Sequence, residues 1–223
     1  RRAALMRYIH VLAEGQTEVE FVKQVLCGYF IKYDLLLDSR AVETSRDSQK
    51  IYRGGLSTYV KARADLKRWM KERPRDYFTS MFDFYRLPTD FPGMNHSAKS
   101  NLAKVKHIES EFAADIDFQR FIPYIQMHEF EALLFADITL LKGELFGKDN
   151  AIDALREETI QLFPEEINND PSSSPSKRII SKLPNYDKVV NGVSVTKAIG
   201  VDTLCNACPH FKEWIDTLKT RTV

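Results

Sequence analysis

The residues of this chain that are best suited to chemistry are two glutamates, Glu14 and Glu18. An apolar run over residues 8–13 predicts a buried strand that stops at Glu14. An amphipathic helix is expected to follow from Thr17, which would cap it together with Glu20. Active sites of α/β proteins lie at the carboxyl ends of strands. Because the two glutamates are four residues apart across a strand-to-helix turn, both carboxylates are predicted to face one cleft.

A third carboxylate, Asp83, lies late in a second apolar strand, within the segment MFDFY. If the two strands are parallel neighbours, Asp83 and Glu14 converge at one edge of the sheet, where they either hold a divalent cation or repel each other. Oxygen ligands alone favour magnesium or manganese over zinc. The spacing leaves two alternatives open. Asp83 could cap a loop while Glu14 pairs with a lysine, or Asp83 could be phosphorylated in a signalling domain.

The segment YIQMHEFEALLFAD, residues 124–137, contains a third group of polar residues. A strand is expected to end at His128, and Glu129 and Glu131 follow it as further catalytic candidates. Glu129 fits equally well at the N-terminus of the next helix, where the helix dipole favours a carboxylate. His128 is suited to general acid–base catalysis or to phosphate contact, but a simple structural hydrogen bond explains it as well.

These residues must be positioned by alternating strands and helices, a pattern that predicts an α/β fold with a parallel sheet of about four strands flanked by helices. The expected strands are residues 7–13, a segment near 41–44, part of 76–87, and 121–127; the expected helices are 17–33, 56–73, 96–112, 129–135, 151–163 and 211–219. A soft boundary near residue 140 would separate a catalytic core, residues 1–140, from a helical, loop-rich appendage, residues 141–223. Residues 168–178 are rich in Pro and Ser and predict a loop.

Composition restricts the class of protein only in part. The formal net charge is +1 over 223 residues, so a nucleic-acid site would have to be a local basic patch. No apolar run approaches the roughly 20 residues of a membrane span. Three cysteines do not form a disulfide framework, which favours the cytoplasm. Neither a Walker A sequence nor GxGxxG occurs, which argues against ATP hydrolysis by this chain. Met6 opens the first strand, so residues 1–5 are expected to precede the natural start.

Several blocks of the sequence, taken together, resemble a known family. The blocks are AEGQTEVEFV, MFDFYRLPTDFPG, RFIPYIQMHEFEALLFAD, EEINNDPSSSPSKRI, YDKVVNG and CPHFKEWIDTL, and they run in order over nearly the whole chain. The first resembles the glutamate motif of TOPRIM domains, the catalytic fold of topoisomerases, primases and OLD-type nucleases. The whole set resembles the TOPRIM-like effectors typified by AriB of the PARIS anti-phage system.

The resemblance implies a TOPRIM-like core and magnesium-dependent (or manganese-dependent) chemistry at phosphodiester bonds. Glu14 would be the metal ligand or general base, with Asp83 as the second principal ligand and Glu18 as an additional one. TOPRIM domains usually carry Asp-x-Asp, whereas here Tyr85 follows at the second aspartate position. Asp90, Glu18 or a carboxylate of the 129–131 pair would then replace the missing ligand, or only one metal binds.

The same resemblance implies a nuclease acting on DNA, RNA or tRNA, and an anti-phage toxin restrained by a partner ATPase. Lys99 or Lys188 would neutralise charge in the transition state. The missing aspartate favours a second hypothesis, a non-catalytic TOPRIM-fold subunit that docks on the ATPase. The sequence leaves a homodimer open and implies no membrane partner.

Overall fold

The computed structural model describes residues 6–46, 51–53, 55–167 and 173–222. Its strands are β1 Arg7–Ala13, β2 Leu35–Ala41, β3 Glu43–Arg46, β4 Ile51–Arg53, β5 Tyr77–Asp83, β6 Phe121–Ile122 and β7 Ile125–Gln126. β2, β1, β5 and β6 lie side by side in that order, and β7 pairs with the end of β5. All of these pairings are parallel, which confirms the predicted α/β fold. A separate antiparallel pair, β3–β4, follows β2.

Helices cover both faces of the sheet. They are α1 Gln16–Phe21, α2 Cys27–Ile31, α3 Tyr59–Glu72, α4 Asn101–Ile116, α5 Asp149–Thr159, α6 Pro175–Lys182, α7 Val193–Ile199, α8 Val201–Ala207 and α9 Pro209–Arg221. A π-helical turn, Val22–Leu26, joins α1 to α2, and a second one, Lys188–Gly192, leads into α7. Short 3₁₀ segments include Phe84–Arg86, Phe130–Ala136 and Pro164–Glu166. No helix among the described residues is long and apolar enough to cross a membrane.

Alternating side chains of the strands enter two different hydrophobic cores. In β1, Ile9 and Val11 pack in one core with α1, α2 and helices of the C-terminal part of the chain. Leu12 points to the other face, where it packs with α3 and α4. In β5, Met81 belongs to the first core and Phe82 to the second. The period of two in the strands therefore fixes which layer of helices covers each face.

The register of the sheet brings the carboxyl ends of β1, β5 and β7 close together. Ala13, the last residue of β1, lies beside Met81 of β5, and Asp83 lies beside Gln126 of β7. Because the strands are parallel, the residues that follow β1, β5 and β7 all emerge at the same edge. This edge carries the acidic residues predicted from the sequence.

The first helix begins earlier than predicted, and its cap is different. Gly15, in an extended conformation, is the N-cap, and Glu18 occupies the third helical position. The Glu18 carboxylate accepts a hydrogen bond from the Gly15 N–H at 2.9 Å. The proposed cap by Thr17 and Glu20 is therefore wrong, because the chain turns directly after Glu14.

Two strand predictions need correction. The strand expected near 41–44 falls across the end of β2, Leu35–Ala41, and the start of β3, Glu43–Arg46. Most of β2 was missed because the polar residues Asp38 and Arg40 interrupt its apolar pattern. The strand expected over 121–127 is two short strands, because Pro123 between them has no N–H for a ladder hydrogen bond.

The loop predicted over 168–178 is also shorter than expected. Pro175 is the first residue of α6, a position that tolerates proline because its N–H would have no helical partner. Residues 168–172 of that loop, like residues 1–5 of the predicted start, lie outside the described residues. The remaining predicted helices are present with ends shifted by a few residues, as for α4, which starts after its Ser100 cap.

Candidate functional site

Glu14 lies immediately after β1, and β5 forms hydrogen bonds with both its backbone and its carboxylate. Its backbone N–H donates to the Met81 carbonyl at 3.0 Å. Its carboxylate atom Oε2 accepts a hydrogen bond from the backbone N–H of Asp83 at 3.1 Å. Only 6% of the Glu14 surface is exposed. The carboxylate is therefore fixed by the sheet itself, as the strand-end position predicted.

Glu18, Asp83 and Glu131 join Glu14 to form the acidic cluster, the name used below for these four residues. All are buried, with exposures of 3%, 1% and 2% for Glu18, Asp83 and Glu131. Glu18 comes from the first turn of α1, Asp83 from the end of β5 and Glu131 from the 3₁₀ segment after β7. Three separate elements thus deliver carboxylates to one edge of the sheet.

Lys188 lies among these carboxylates. Its Nζ is 3.4 Å from Asp83 Oδ2, 3.4 Å from Glu131 Oε2 and 3.5 Å from Glu18 Oε1. It is the first residue of the π-helical turn before α7, and Asp187 caps that turn by accepting a hydrogen bond from the Val190 N–H. The lysine is thus supplied by the C-terminal part of the chain.

The negative charge of the cluster exceeds the positive charge near it. Beside Lys188, a second cation is Arg86, whose Nε lies 4.0 Å from Glu14 Oε1 and whose side chain is largely exposed. The buried acceptor Asp83 Oδ1 has no hydrogen-bond partner, and Glu18 Oε1 and Glu131 Oε2 have only the ion pair with Lys188, at 3.5 and 3.4 Å. Burying acceptors that are so incompletely satisfied is costly, which indicates that the cluster serves a purpose other than stability.

Burial, and to a smaller extent the neighbouring carboxylates, perturbs the acidity of the cluster. Burial, reinforced by the neighbouring Glu18, raises the pKa of Glu14 to about 7. Burial also raises the pKa of Asp83 well above its usual range and raises that of Glu131, although Lys188 opposes both changes. Burial alone would lower the pKa of Lys188, but the carboxylates around it, Asp83 foremost, raise it. Lys188 is therefore charged at neutral pH.

The cluster has the chemistry of a hard-cation site but is arranged around an ammonium group. Its donors are all carboxylate oxygens, the ligands that magnesium and manganese prefer, and Asp83 Oδ1 has no partner. In the described part of the chain, however, no three His, Cys, Asp or Glu side chains are spaced to hold a metal. The oxygens lie 3.4–3.5 Å from Lys188 Nζ, whereas a metal requires about 2.0–2.6 Å. The residues fit a divalent cation if Lys188 withdraws and the carboxylates close in.

Glu129 and His128 lie beside the cluster but are committed elsewhere. The Glu129 carboxylate accepts a hydrogen bond from the Ser176 N–H at 2.7 Å, at the start of α6 rather than of its own helical segment. His128 Nε2 lies 2.8 Å from the carbonyl oxygen of Glu165. Burial lowers the pKa of His128, so its ring is neutral. Glu129 is therefore a carboxylate at a helix N-terminus, which was one of its two predicted roles. The helix is α6, however, and not the helical segment that follows Glu129 in the chain.

Other candidates named from the sequence are not part of the cluster. Both oxygens of Asp90 accept hydrogen bonds from the Tyr59 N–H, at the start of α3. Tyr85 is partly exposed, and its ring lies 5.2 Å from that of His128. Lys99 is exposed in the loop before α4, so of the two predicted lysines only Lys188 enters the cluster.

Arg86 was missed at the level of sequence. It follows the MFDFY segment directly, and its place in that block was the available signal. Tyr186 lies two residues before Lys188, in the block YDKVVNG that contributes to the resemblance, and its hydroxyl is buried without a hydrogen-bond partner.

Three comparisons with known proteins bear on this chain. No curated protein matches it. Among solved structures, the C-terminal region of the OLD protein of Xanthomonas campestris pv. campestris aligns over 97% of this chain and 98% of that chain, with 14% identity and a TM-score of 0.39. The family model of DUF4276, a domain of unknown function, matches residues 13–219. The chain therefore belongs to the DUF4276 family.

Proposed function

We propose that this protein is a metal-dependent nuclease that cleaves phosphodiester bonds. The observation that carries the proposal is the convergence of four buried carboxylates and Lys188 at the carboxyl edge of a parallel sheet. Asp83 Oδ1 has no partner, and burial raises the pKa values of Glu14 and Asp83, so the charged forms of these carboxylates are poorly stabilised by the protein alone. A divalent cation and the phosphate it accompanies would complete that site.

Residues of the cluster can be assigned separate roles. Asp83, Glu18 and Glu14 would hold magnesium or manganese, which polarises the phosphate and lowers the pKa of water when bound. If Glu14 is not itself a metal ligand, its carboxylate would accept the proton of the attacking water as general base. Lys188 and Arg86 would pair with phosphate oxygens as negative charge develops. Glu131 would keep Lys188 oriented.

Substrate and biological setting are proposed from the resemblance to TOPRIM-like effectors. RNA, and tRNA in particular, is the substrate that this resemblance suggests, with DNA as the alternative. An ATPase partner that restrains the enzyme, and a role as an anti-phage toxin, belong to the same proposal. A cleavage experiment tests the activity independently of the ATPase partner and of the toxin role, because it uses this chain alone.

A cleavage assay tests the activity. Labelled single-stranded DNA, duplex DNA and total tRNA are incubated with the protein and magnesium or manganese. Cutting is expected on at least one substrate, with loss of at least about 10³-fold in Glu14→Ala, because the variant lacks either a metal ligand or the general base. A chelator should abolish cutting.

Glu157→Gln, on the exposed face of α5, is the matched control and should cut like the wild type. The nuclease proposal fails if a normally folded Glu14→Ala variant retains full activity.

A second candidate is a non-catalytic subunit that docks on an ATPase. The observation in its favour is Lys188, which already supplies a cation to three carboxylates. Under this hypothesis magnesium does not bind. Calorimetric titration with magnesium chloride decides, because a binding isotherm that disappears in Asp83→Ala excludes the hypothesis.

A further inference from the structure

A cavity of about 520 Å³ lies behind the strand end that carries His128. Its size falls within the roughly 300–1,000 Å³ of small-molecule sites. The wall comes from the start of α4, the end of β7, the 3₁₀ segment Pro164–Glu166 and the start of α9. Among the lining residues are Leu102, Met127, His128, Phe163, Glu166 and Pro209. The wall is mainly apolar, with Phe163 59% exposed beside it.

One buried polar atom of this wall lacks a partner. His128 is 1% exposed, and its backbone has a φ of 62°, an unusual conformation for a residue other than glycine. The carbonyl oxygen of Glu165 can only accept, so His128 Nε2 donates its hydrogen to it. Nδ1 is then an acceptor and has no hydrogen-bond partner. A ligand that satisfies this ring must offer an N–H or O–H donor. Glu166, an exposed carboxylate on the same wall, also accepts.

The start of α4 offers hydrogen-bond donors, whereas His128 and Glu166 offer acceptors. This helix has 16 residues, and the Ser100 hydroxyl accepts a hydrogen bond from the Ala103 N–H at 3.1 Å. The N–H groups of Asn101 and Leu102 precede the first helical hydrogen bond and so have no partner within the helix. Asn101 and Leu102 line the cavity, and N–H groups without a partner at the start of a helix favour an anionic group. The cavity therefore combines acceptors, apolar walls and an anion-binding end.

The cavity is close to the acidic cluster. The backbone N–H of Tyr85 donates to the His128 carbonyl at 3.0 Å, and the two rings lie 5.2 Å apart. Tyr85 is two residues from Asp83, so their Cα atoms are at most about 7 Å apart. The His128 end of the cavity therefore lies next to the residues that directly follow Asp83.

We propose that this cavity receives one unpaired nucleotide of the substrate, adjacent to the phosphate that is cut. Its base would lie against Phe163 and Leu102 and offer an amino group to His128, and its phosphate would face the start of α4. The inference rests on the proposed nuclease activity and specifies its substrate as a strand with an unpaired base. Duplex nucleic acid would have to release a base before it could bind.

Binding of mononucleotides tests the cavity without cleavage. The four ribonucleoside 5′-monophosphates and ribose 5-phosphate are titrated into the protein in a chelator, with NMR methyl signals as the readout. Stacking of a base contributes about 1–3 kcal/mol, so AMP, GMP or CMP should bind at least about fivefold more tightly than ribose 5-phosphate. Equal binding of ribose 5-phosphate, or no binding of any nucleotide, overturns the proposal. UMP binding as tightly as the others overturns the assignment of an amino group to His128.

Two variants and a control locate the binding. Leu102→Trp fills the cavity from a 40% exposed position, and Phe163→Ala removes the aromatic wall. Each should weaken nucleotide binding at least about fivefold. Val60→Trp, at a 67% exposed position on α3, should bind like the wild type. Unchanged binding in both cavity variants places the nucleotide elsewhere and overturns the proposal.

Cleavage assays of the same variants keep the two proposals separable. If the wild type cuts and Leu102→Trp cuts the same substrates at the same rate, the cavity proposal fails and the nuclease stands. If nucleotides bind in the cavity but no nucleic acid is cut with either metal, the nuclease fails and the cavity remains a nucleotide site.

Discussion

At the scale of single residues, the acidic cluster is a group of carboxylates whose burial lowers the stability of the folded protein. Four carboxylates are buried together, with Lys188 among them and Arg86 4.0 Å away at an exposed position. The resulting rise in the pKa of Glu14 to about 7 means that its charged form is disfavoured in the folded state. Removing that charge should therefore stabilise the protein while removing a functional group.

Glu14→Gln tests this directly. The amide oxygen can still accept the hydrogen bond from the Asp83 N–H, but the negative charge is gone. We expect the free energy of unfolding at pH 8, in a chelator, to rise by about 1–2 kcal/mol. Urea denaturation measures it, with Glu157→Gln expected to stay within about 0.5 kcal/mol of the wild type. A loss of stability in Glu14→Gln would show that Glu14 is a structural partner of Arg86 and Lys188.

At the scale of elements, the π-helical turn Lys188–Gly192 decides whether Lys188 reaches the cluster. π-helical turns are rare and are frequent at functional sites. Here the turn packs closely on the site, because a Cβ added to Gly192 would lie 2.7 Å from the Tyr186 hydroxyl oxygen and 3.2 Å from Phe130 Cε1. The glycine is needed for this close approach rather than for its backbone angles, since its φ is −62°.

Gly192→Ala should consequently displace the turn or the Tyr186 ring. We expect a loss of about 1–3 kcal/mol of stability, typical of an overpacked core, and a fall in any activity that depends on Lys188. Melting temperature and cleavage rate provide the measurements.

Tyr186→Phe is the matched second variant. Its hydroxyl is buried without a partner, so losing it should cost little, and in the double variant it should recover most of the lost stability. If the stability does not recover, the contact of the new Cβ with Phe130, and not its contact with the Tyr186 hydroxyl, causes the destabilisation.

At the scale of the whole molecule, the sheet is enclosed by two cores, and the C-terminal part of the chain contributes to one of them. The division near residue 140 stays a prediction. One ion pair between distant segments joins α9 to α4, with His210 Nε2 3.0 Å from Glu109 Oε1. Burial opposes a charge on His210, yet Glu109 prevails and raises the pKa of the histidine.

This pair predicts how stability depends on pH. A histidine whose pKa is raised on folding binds its proton more tightly in the native state, so its contribution is complete below the unfolded value of about 6.5 and is lost as pH rises through the folded value. Glu109→Gln keeps an acceptor for His210 and for the Ile125 N–H but removes the charge.

Glu109→Gln should therefore cost about 1–2 kcal/mol at pH 6 and much less at pH 9. Denaturation of both proteins across this range is the measurement, and a cost that is independent of pH would assign Glu109 a purely neutral hydrogen-bonding role.

The parallel sheet and the position of Glu14 and Asp83 were predictable, because hydrophobic periodicity and strand ends are local properties of the sequence. The apolar run over residues 8–13 predicted a strand at 7–13, and β1 is Arg7–Ala13. The prediction was weaker for β2, where the polar residues Asp38 and Arg40 interrupt the pattern. Magnesium binding, nuclease activity and an ATPase partner stay predictions of the resemblance.

What the sequence alone determined is that carboxylates lie at the ends of two strands of an α/β protein; that these strands are neighbours was decided by the tertiary structure. Only the tertiary structure decided which of the later residues join them. It brings in Glu131 and Lys188, which are 117 and 174 positions after Glu14 in the chain, and directs Glu129 and Asp90 to helix starts instead. The reason is physical, since contacts between distant segments depend on how the helices pack against the sheet, and no local pattern of residue types records that packing.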